Sequence, residues 1–563
     1  PPRSAVNGAV RAVSPDTLHL HPANPPRGMG AVTLDSADVI IVGGSLAGSA
    51  TAMLLLQGNP QLRVVIVEKS EAFTRRVGES TVEISAYFLG RVLGLTRFNN
   101  ETQLTKQGMR FWFAQPGVRD IAECSEIGGR YLSRIPAWQV DRSTIDEEVL
   151  ERARRLGARV IRPAKVREVE LTPGGVQRVH LATADGTQTL GARWVVDASG
   201  FACLLARQEG WLRPNDEHPT SACWARWRKV TDLDGAELAR RHPDWFHACQ
   251  GIRATATNHL VGDGWWAWVI PLKGGDTSVG VVFDQRRVTW PEGPAPLGSR
   301  LKSFLCAHPA GRDLLENAEA VEGDVRWRAN LAYSCSPMAG DGYVLVGDAA
   351  GFIDPFYSPG MDWLSFTVTR AADLILRHHA GEPVGPLAAQ YNTDFERSYQ
   401  RWFQAVYRNK YAWMGDFELM QVGFRLDLGL YYLGVVSQPF KLGPAALRHP
   451  VFSLPPSRIP CWLMTTYNRR LAAMADSRRE RGQFGRRNGH QRDLLAGFLP
   501  DPSSVRPVLR AILSWLSLEV REGWRTWFRA PAAAVRPRDA RPGFGWTPRV
   551  LQPGSPPAPV PRS

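Results

Sequence analysis

The chain has 563 residues, enough for two domains with real cores or one large elaborated one. Hydrophobic residues at 44% and charged residues at 22% are the balance of an ordinary soluble globular protein. The net charge of +14 argues against a nucleic-acid partner once it is located: residues 469–492 hold eight arginines and residues 531–563 five more, so a solvated basic face and a basic tail account for it.

In chain order, residues 1–35 read as a disordered leader with no secretory pattern. "DVIIVGGSLAGSATAMLLL" follows, a buried strand, a glycine turn and a small-residue helix, and "RVVIVEKS" is a second buried strand ending at Glu68. A βαβ unit of this kind predicts a doubly wound, Rossmann-like parallel sheet. From about residue 105 to 300 alternating strands such as "KQGMRFWF" and "DTSVGVVFD" predict a sheet-rich substrate domain interleaved with the first, the two together spanning 36–370. Aromatic, helix-period sequence then predicts a helical C-terminal extension over 371–530. Its longest apolar run, "LGLYYLGVV" at Leu428–Val436, is too short for the roughly 20 residues of a membrane span, but suits contact with a membrane or a greasy substrate. Residues 531–563, with nine prolines and no apolar periodicity, read as a disordered tail. Seven scattered cysteines, with no CxxC and no metal-ligand spacing, point to free thiols in a reducing cytoplasm and to no metal site.

Chemistry concentrates in the first two thirds. Gly43-Gly44-Ser45-Leu46-Ala47-Gly48 is a dinucleotide fingerprint with Ser45 in place of the second glycine, and Glu68 lies where a ribose-binding acid is expected. The helix start offers N–H groups and a positive dipole end to phosphate. "WVVDASG" (Trp194–Gly200) and "VLVGDAAG", with Asp348, resemble the second and third flavin signatures of the aromatic-hydroxylase-like flavoproteins, and "WQVDRSTID", with Arg142, resembles a further element near the cofactor. That resemblance implies FAD, with Asp348 on its ribityl chain. No second fingerprint exists for a nicotinamide, so reduced flavin is expected from a separate flavin reductase or a transient hydride donor.

"WAWVIP", Trp266 to Pro271, is identical to the W-x-W-x-I-P signature of the flavin-dependent halogenases. "RVGESTVEI", with Glu79, resembles that family's G-E-[AS]-T segment, and "KQGMRFWF" the strand that starts at its active-site lysine, here Lys106. "FIDPFYSPGM", ending at Met361, resembles the loop beside the flavin, where the Gly360 N–H and Ser358 are the halide donors expected to remain beside Pro359. The family reading implies that reduced FAD, O₂ and halide give hypohalous acid, which is relayed to Lys106 and so to an activated phenolic or pyrrolic ring, small or carrier-bound. Trp266 and Trp268 then wall the substrate off from the flavin, although two same-face aromatics are ordinarily core. Lys106, sharing a strand face with Gly108 and Arg110, faces either a cavity or water. Pro359 has no N–H to give a halide, and Tyr357 replaces the glutamate of tryptophan-specific members. The alternatives are a flavin monooxygenase or dehydrogenase without halide use, and an RNA- or membrane-associated flavoprotein using the Arg469–Arg492 cluster.

Overall fold

The computed structural model describes residues 36–249 and 251–527; the expected leader and the tail lie outside the described residues. The apolar runs around the fingerprint pair as expected. Strand Ser36–Val42 lies between Val64–Val67 and Gly186–Asp197 in parallel, with Arg159–Ile161 beyond the first and Tyr343–Leu345 beyond the second. Register places Val42 opposite both Val67 and Asp197, and Asp197 opposite Leu345. Gly43, Glu68, Ala198 and Val346 therefore leave the sheet at one edge, its carboxyl end, where ligands of doubly wound folds bind. Strands Lys165–Glu170 and Gln177–Thr183 extend the long Gly186–Asp197 strand as an antiparallel flap.

Among the described residues the second sheet has nine strands, and its centre runs Thr220–Arg228, Thr277–Asp284, Trp265–Pro271, Thr257–Gly262, Met109–Phe113 and Ser125–Gly129. Both faces of the central strands Trp265–Pro271 and Thr277–Asp284 are buried, each against its own core. On one face Ala267, Val269, Val279 and Val281 pack in a core with Leu301, Leu305 and Leu314. On the other, Trp266, Trp268 and Ile270 join the larger core shared with the parallel sheet and the helices. Trp268 fits because residue 280 has no side chain: a Cβ there would lie 2.4 Å from the indole ring.

The C-terminal region is built on the helices Pro359–His379, Val384–Trp402, Phe417–Tyr431, Arg458–Glu480 and Val505–Arg521. It also supplies a strand: Arg492–Leu495 pairs in parallel with Ser125–Gly129. Of the eight arginines expected as a solvated face, Arg469, Arg486, Arg487 and Arg492 are exposed, while Arg470, Arg478, Arg479 and Arg481 turn to carboxylates. Arg478 is buried and bonds Asp416, Glu418 and Glu522, Arg470 bonds Glu519, and Arg479 bonds Asp263. Their geometry ties three late helices together, because a desolvated guanidinium needs a carboxylate at each edge.

Candidate active site

The fingerprint turn is shaped by what its glycines lack. Gly43 has φ +101°, and a Cβ on it would sit 2.5 Å from the Ala198 carbonyl. A Cβ on Gly48 would lie 1.9 Å from the Gly43 carbonyl, so the helix Leu46–Gly58 can approach its strand only with glycine there. Ser45 caps that helix without bonding its N–H groups, and the first turn carries no acid. Glu68 accepts from the Gly44 N–H at 2.7 Å and the Ser70 N–H at 2.8 Å, which holds its carboxylate at the lip of the turn.

A cleft of about 490 Å³ opens here, lined by Gly43, Ser45, Glu68, Glu79, Arg142 and Asp348. Lys69, Arg75, Arg76 and Arg328 give it a cationic rim. Burial raises Asp348 to about 6, against the pull of Arg142 and Arg328. Arg142, at the first turn of helix Arg142–Arg155, is oriented by Asp146. Glu79 is raised to about 7 by burial, opposed by Arg226, which bonds its Oε1; its buried Oε2 has no partner. A glycine cradle at a helix N-terminus, the Glu68 carboxylate at its lip, a basic rim and a buried Glu79 oxygen with no partner among the described residues fit an extended flavin dinucleotide.

The cleft continues into a cavity of about 170 Å³ lined by Ala47, Trp266, Trp268, Ser358, Gly360 and Met361. The Trp266 N–H donates to Tyr411 Oη at 2.8 Å, and that hydroxyl donates on to Asp354, which also binds His218. The Trp268 N–H donates to Ser278 Oγ at 3.1 Å. The pair is thus both packed core and cavity wall. His259 also lines the cavity; burial lowers it to about 3, so its ring is neutral, with Nδ1–H on the Arg110 carbonyl.

The loop before helix Pro359–His379 turns through two consecutive left-handed residues, Tyr357 (φ +69°) and Ser358 (φ +57°). Tyr399 and Tyr407 hold it by donating to the carbonyls of Phe352 and Phe356. The Ser358 N–H is spent on the Pro355 carbonyl at 3.0 Å, which leaves only the hydroxyl of Ser358 as a donor. Pro359 is the first helical residue, where the missing N–H costs no helix bond. Gly360 and Met361 follow in the first turn, where N–H groups have no intrahelical acceptor.

Lys106 departs from the expected strand geometry. Gly108 has φ +74° and breaks the extended run, so the strand starts only at Met109 and the shared face with Arg110 does not exist. Arg110 is instead buried against Glu126, which Arg253 also binds. Lys106 is 2% exposed, and its ammonium donates to Ser80 Oγ at 2.8 Å and the Thr81 carbonyl at 2.7 Å. Burial lowers it to about 8, opposed by Glu83 and Asp362. Lys106 lines neither cavity, and faces neither open cavity nor water. It sits in the partition: Ser80 faces the flavin-side cavity, while Val82 and Glu83 face a third one.

That third cavity, about 390 Å³, is apolar and walled by Tyr357, Phe366, Tyr407 and Phe424. "LGLYYLGVV" wraps it with Leu428, Leu430, Tyr431, Gly434 and Val435, the last two in a wide π turn. Its polar groups were missed by the sequence reading. Asp362, raised to about 7 by burial, accepts from Ser85 N–H and Tyr431 Oη; Glu83 accepts from Tyr432 Oη. Asp427 binds Lys410, Tyr467 and Tyr357, the residue that stands in the glutamate position. The available signal was a charge inside an apolar helix pattern, as with Lys410 in "RNKYAWM" and Asp362 in "GMDWLSF".

Comparison with known proteins agrees with this construction. The flavin-dependent halogenase armH5 of Armillaria mellea is 26% identical over 366 residues, 62% of this chain. The chain spans 66% of that relative's length, just under two thirds. A 1H-pyrrole-2-carbonyl-[peptidyl-carrier protein] chlorinase of Pseudomonas fluorescens is 26% identical over 410 residues, 69% of this chain and 84% of the relative. The crystal structure of halogenase PltM in complex with phloroglucinol and FAD superimposes with a TM-score of 0.68 at 19% identity, covering 85% of this chain and 96% of PltM. The family model for tryptophan halogenase matches residues 38–133 and 130–409. On that match over most of its length, the chain belongs to the tryptophan halogenase family of flavin-dependent halogenases.

Proposed function

We propose that this chain is an FAD-dependent halogenase that uses Lys106 to carry an oxidised halogen from the flavin-side cavity to an electron-rich ring in the apolar cavity. The observation that carries the reading is the position of Lys106 in the partition, bonded to Ser80 on one side and adjoining Val82 and Glu83 on the other. FAD, when bound in its reduced form, supplies the O₂ chemistry that oxidises halide to hypohalous acid. The protein's share is positional. Gly43, Gly44, Ser45, Ala47 and Gly48 shape the pyrophosphate turn, and Glu68, Glu79, Arg142, Asp348 and Met361 hold the rest of the dinucleotide. The Gly360 N–H and the Ser358 hydroxyl hold halide. Trp266 and Trp268 keep the ring away from the flavin.

At a value near 8, Lys106 is mostly ammonium at neutral pH and hydrogen-bonds hypohalous acid without a large cost to lose its proton. The ring carbon takes the halogen, and the displaced proton leaves with hydroxide as water. Glu83 and Asp362, bordering the cavity beside Lys106, are placed to accept a phenolic O–H or pyrrolic N–H and so raise the ring's electron density. Tyr357 in the glutamate position and the aromatic walls suit a flat phenol or pyrrole, free or carrier-borne, better than free tryptophan. The carrier-bound pyrrole named for the Pseudomonas relative and the phloroglucinol named for PltM support that class. Reduced flavin arrives from a separate reductase.

The test is a product mass spectrum from a panel of phenols and pyrroles incubated with reduced FAD, O₂ and either bromide or chloride. Halogenated product is expected, with bromide at least as effective. Oxygenated product without halogen, in the presence of either halide, would instead establish the monooxygenase alternative and assign Pro359 the loss of the halide site.

A further inference from the structure

The helix Val505–Arg521 has two apolar faces, and the fold uses one. Val508, Ala511 and Leu518 are buried, with Val508 packed so tightly on helix Phe417–Tyr431 that a Cβ at Gly429 would lie 2.4 Å from it. Trp515, on the same side, meets Tyr467 of the neighbouring helix. The other apolar set is Val505, Leu509, Leu513, Leu516 and Val520, 43–75% exposed. At 100° per residue these five fall within a stripe about 80° wide. A solvated helix of a globular protein places polar residues there, and among the described residues nothing covers this stripe.

Charge around the stripe is of one sign. Arg506 and Arg510 run along its edge, Arg521 at the helix end pairs with Glu418, and Arg525 follows just beyond the helix. The acids of this segment point elsewhere: Glu519 is neutralised by Arg470 and Glu522 by Arg478, both on the packed side. Trp524 and Trp527, each more than half exposed, continue the apolar surface past the helix end. The helix beside its packed side borders the third cavity. Helix Arg458–Glu480 runs alongside in the same direction, as the pairs Tyr467–Trp515, Arg470–Glu519 and Arg478–Glu522 show. Its first turns expose Ile459 and Trp462 while Pro460 and Met464 line the cavity.

We infer that this face docks on an anionic lipid surface, with the helix Val505–Arg521 lying in the interface plane. Aliphatic residues in one stripe, arginines along its edge and tryptophans at its end match an apolar layer beneath phosphate headgroups. No helix among the described residues is long and apolar enough to cross a membrane, so the contact is peripheral. The inference stands apart from the halogenase reading and from the Arg469–Arg492 segment.

The experiment is co-sedimentation of the full-length, FAD-loaded protein with vesicles of phosphatidylcholine, with or without phosphatidylglycerol, alongside sedimentation velocity without lipid. The native protein is expected to bind the anionic vesicles and to release in high salt. The triple variant Leu509→Ser, Leu513→Ser, Val520→Ser is expected to lower vesicle partition at least about tenfold while FAD absorbance and melting temperature are retained. Arg506→Gln with Arg510→Gln should lower binding to anionic vesicles about tenfold and leave the weak binding to phosphatidylcholine unchanged. No partition of the native protein into either vesicle overturns the inference, as does equal partition of native and variants. A dimer in lipid-free solution that the triple variant dissociates, without vesicle binding, overturns it too and assigns the face to a second copy of the chain.

Discussion

Replacing Lys106 with methionine separates a chemical role from a structural one, because the two predict opposite changes in stability. Burial moves this amine from its ordinary 10.5 to about 8, which corresponds to about 3 kcal/mol disfavouring the folded ammonium at pH 7. Its two hydrogen bonds, to Ser80 Oγ and the Thr81 carbonyl, return about 1 kcal/mol each. Methionine fills the same space without charge, so Lys106→Met is expected to be about 1 kcal/mol more stable than the native protein at pH 7.

The sign follows from proton uptake. The folded value lies below the unfolded one, so between about 8 and about 10.5 the unfolded chain holds a proton that the fold lacks, and native stability rises with pH through that window. The advantage of the methionine variant should therefore vanish by roughly pH 9.5 and turn into a deficit of about 1 kcal/mol from the lost hydrogen bonds. Urea unfolding at the two pH values measures this directly. The same variant should give no halogenated product while hypohalous acid still reaches a chemical trap in solution. Lys106→Arg should also fail, with lower stability, because a larger group that stays charged must occupy the same buried site. A methionine variant that halogenates at a near-native rate, or one destabilised equally at both pH values, would refute the reasoning.

Asp348→Asn should weaken FAD retention at neutral pH, and in the native protein retention should fall as pH drops through about 6, where this carboxylate takes up a proton; fluorescence titration of the apoprotein across pH measures both. Gly48→Ala places a Cβ 1.9 Å from the Gly43 carbonyl and is expected to cost at least about 2 kcal/mol and abolish FAD binding, read by denaturation and flavin absorbance. Trp266→Phe with Trp268→Phe removes the hydrogen bonds to Tyr411 and Ser278 and thins the wall, at about 1–3 kcal/mol in total. Flavin reoxidation should continue in that variant, while peroxide and hydroxylated product rise relative to halogenated product; unchanged product ratios would mark the pair as core alone.

The flavin-side sheet was legible in the amino-acid sequence because its determinants are local. A buried parallel strand is a short apolar run, a tight strand-to-helix turn needs glycine at fixed spacing, and Glu68 ends the next strand, so Gly43, Gly48 and Glu68 were readable within 26 residues of one another. The tryptophan pair was placed on one face by the period of a strand. What only the tertiary structure decided are meetings between distant segments. Gly108 turns Lys106 out of its strand and into a partition built by Ser80 and Thr81, some 25 residues earlier. Glu79 finds Arg226, 147 residues away, and Asp427 gathers Tyr357, Lys410 and Tyr467 around one buried carboxylate. Arg478 looks solvated in a basic run because composition counts charges without their partners, and its acids lie 44 to 62 residues off. Periodicity reports which side of an element is apolar, but the partner of a buried charge is chosen by the packing of elements against one another.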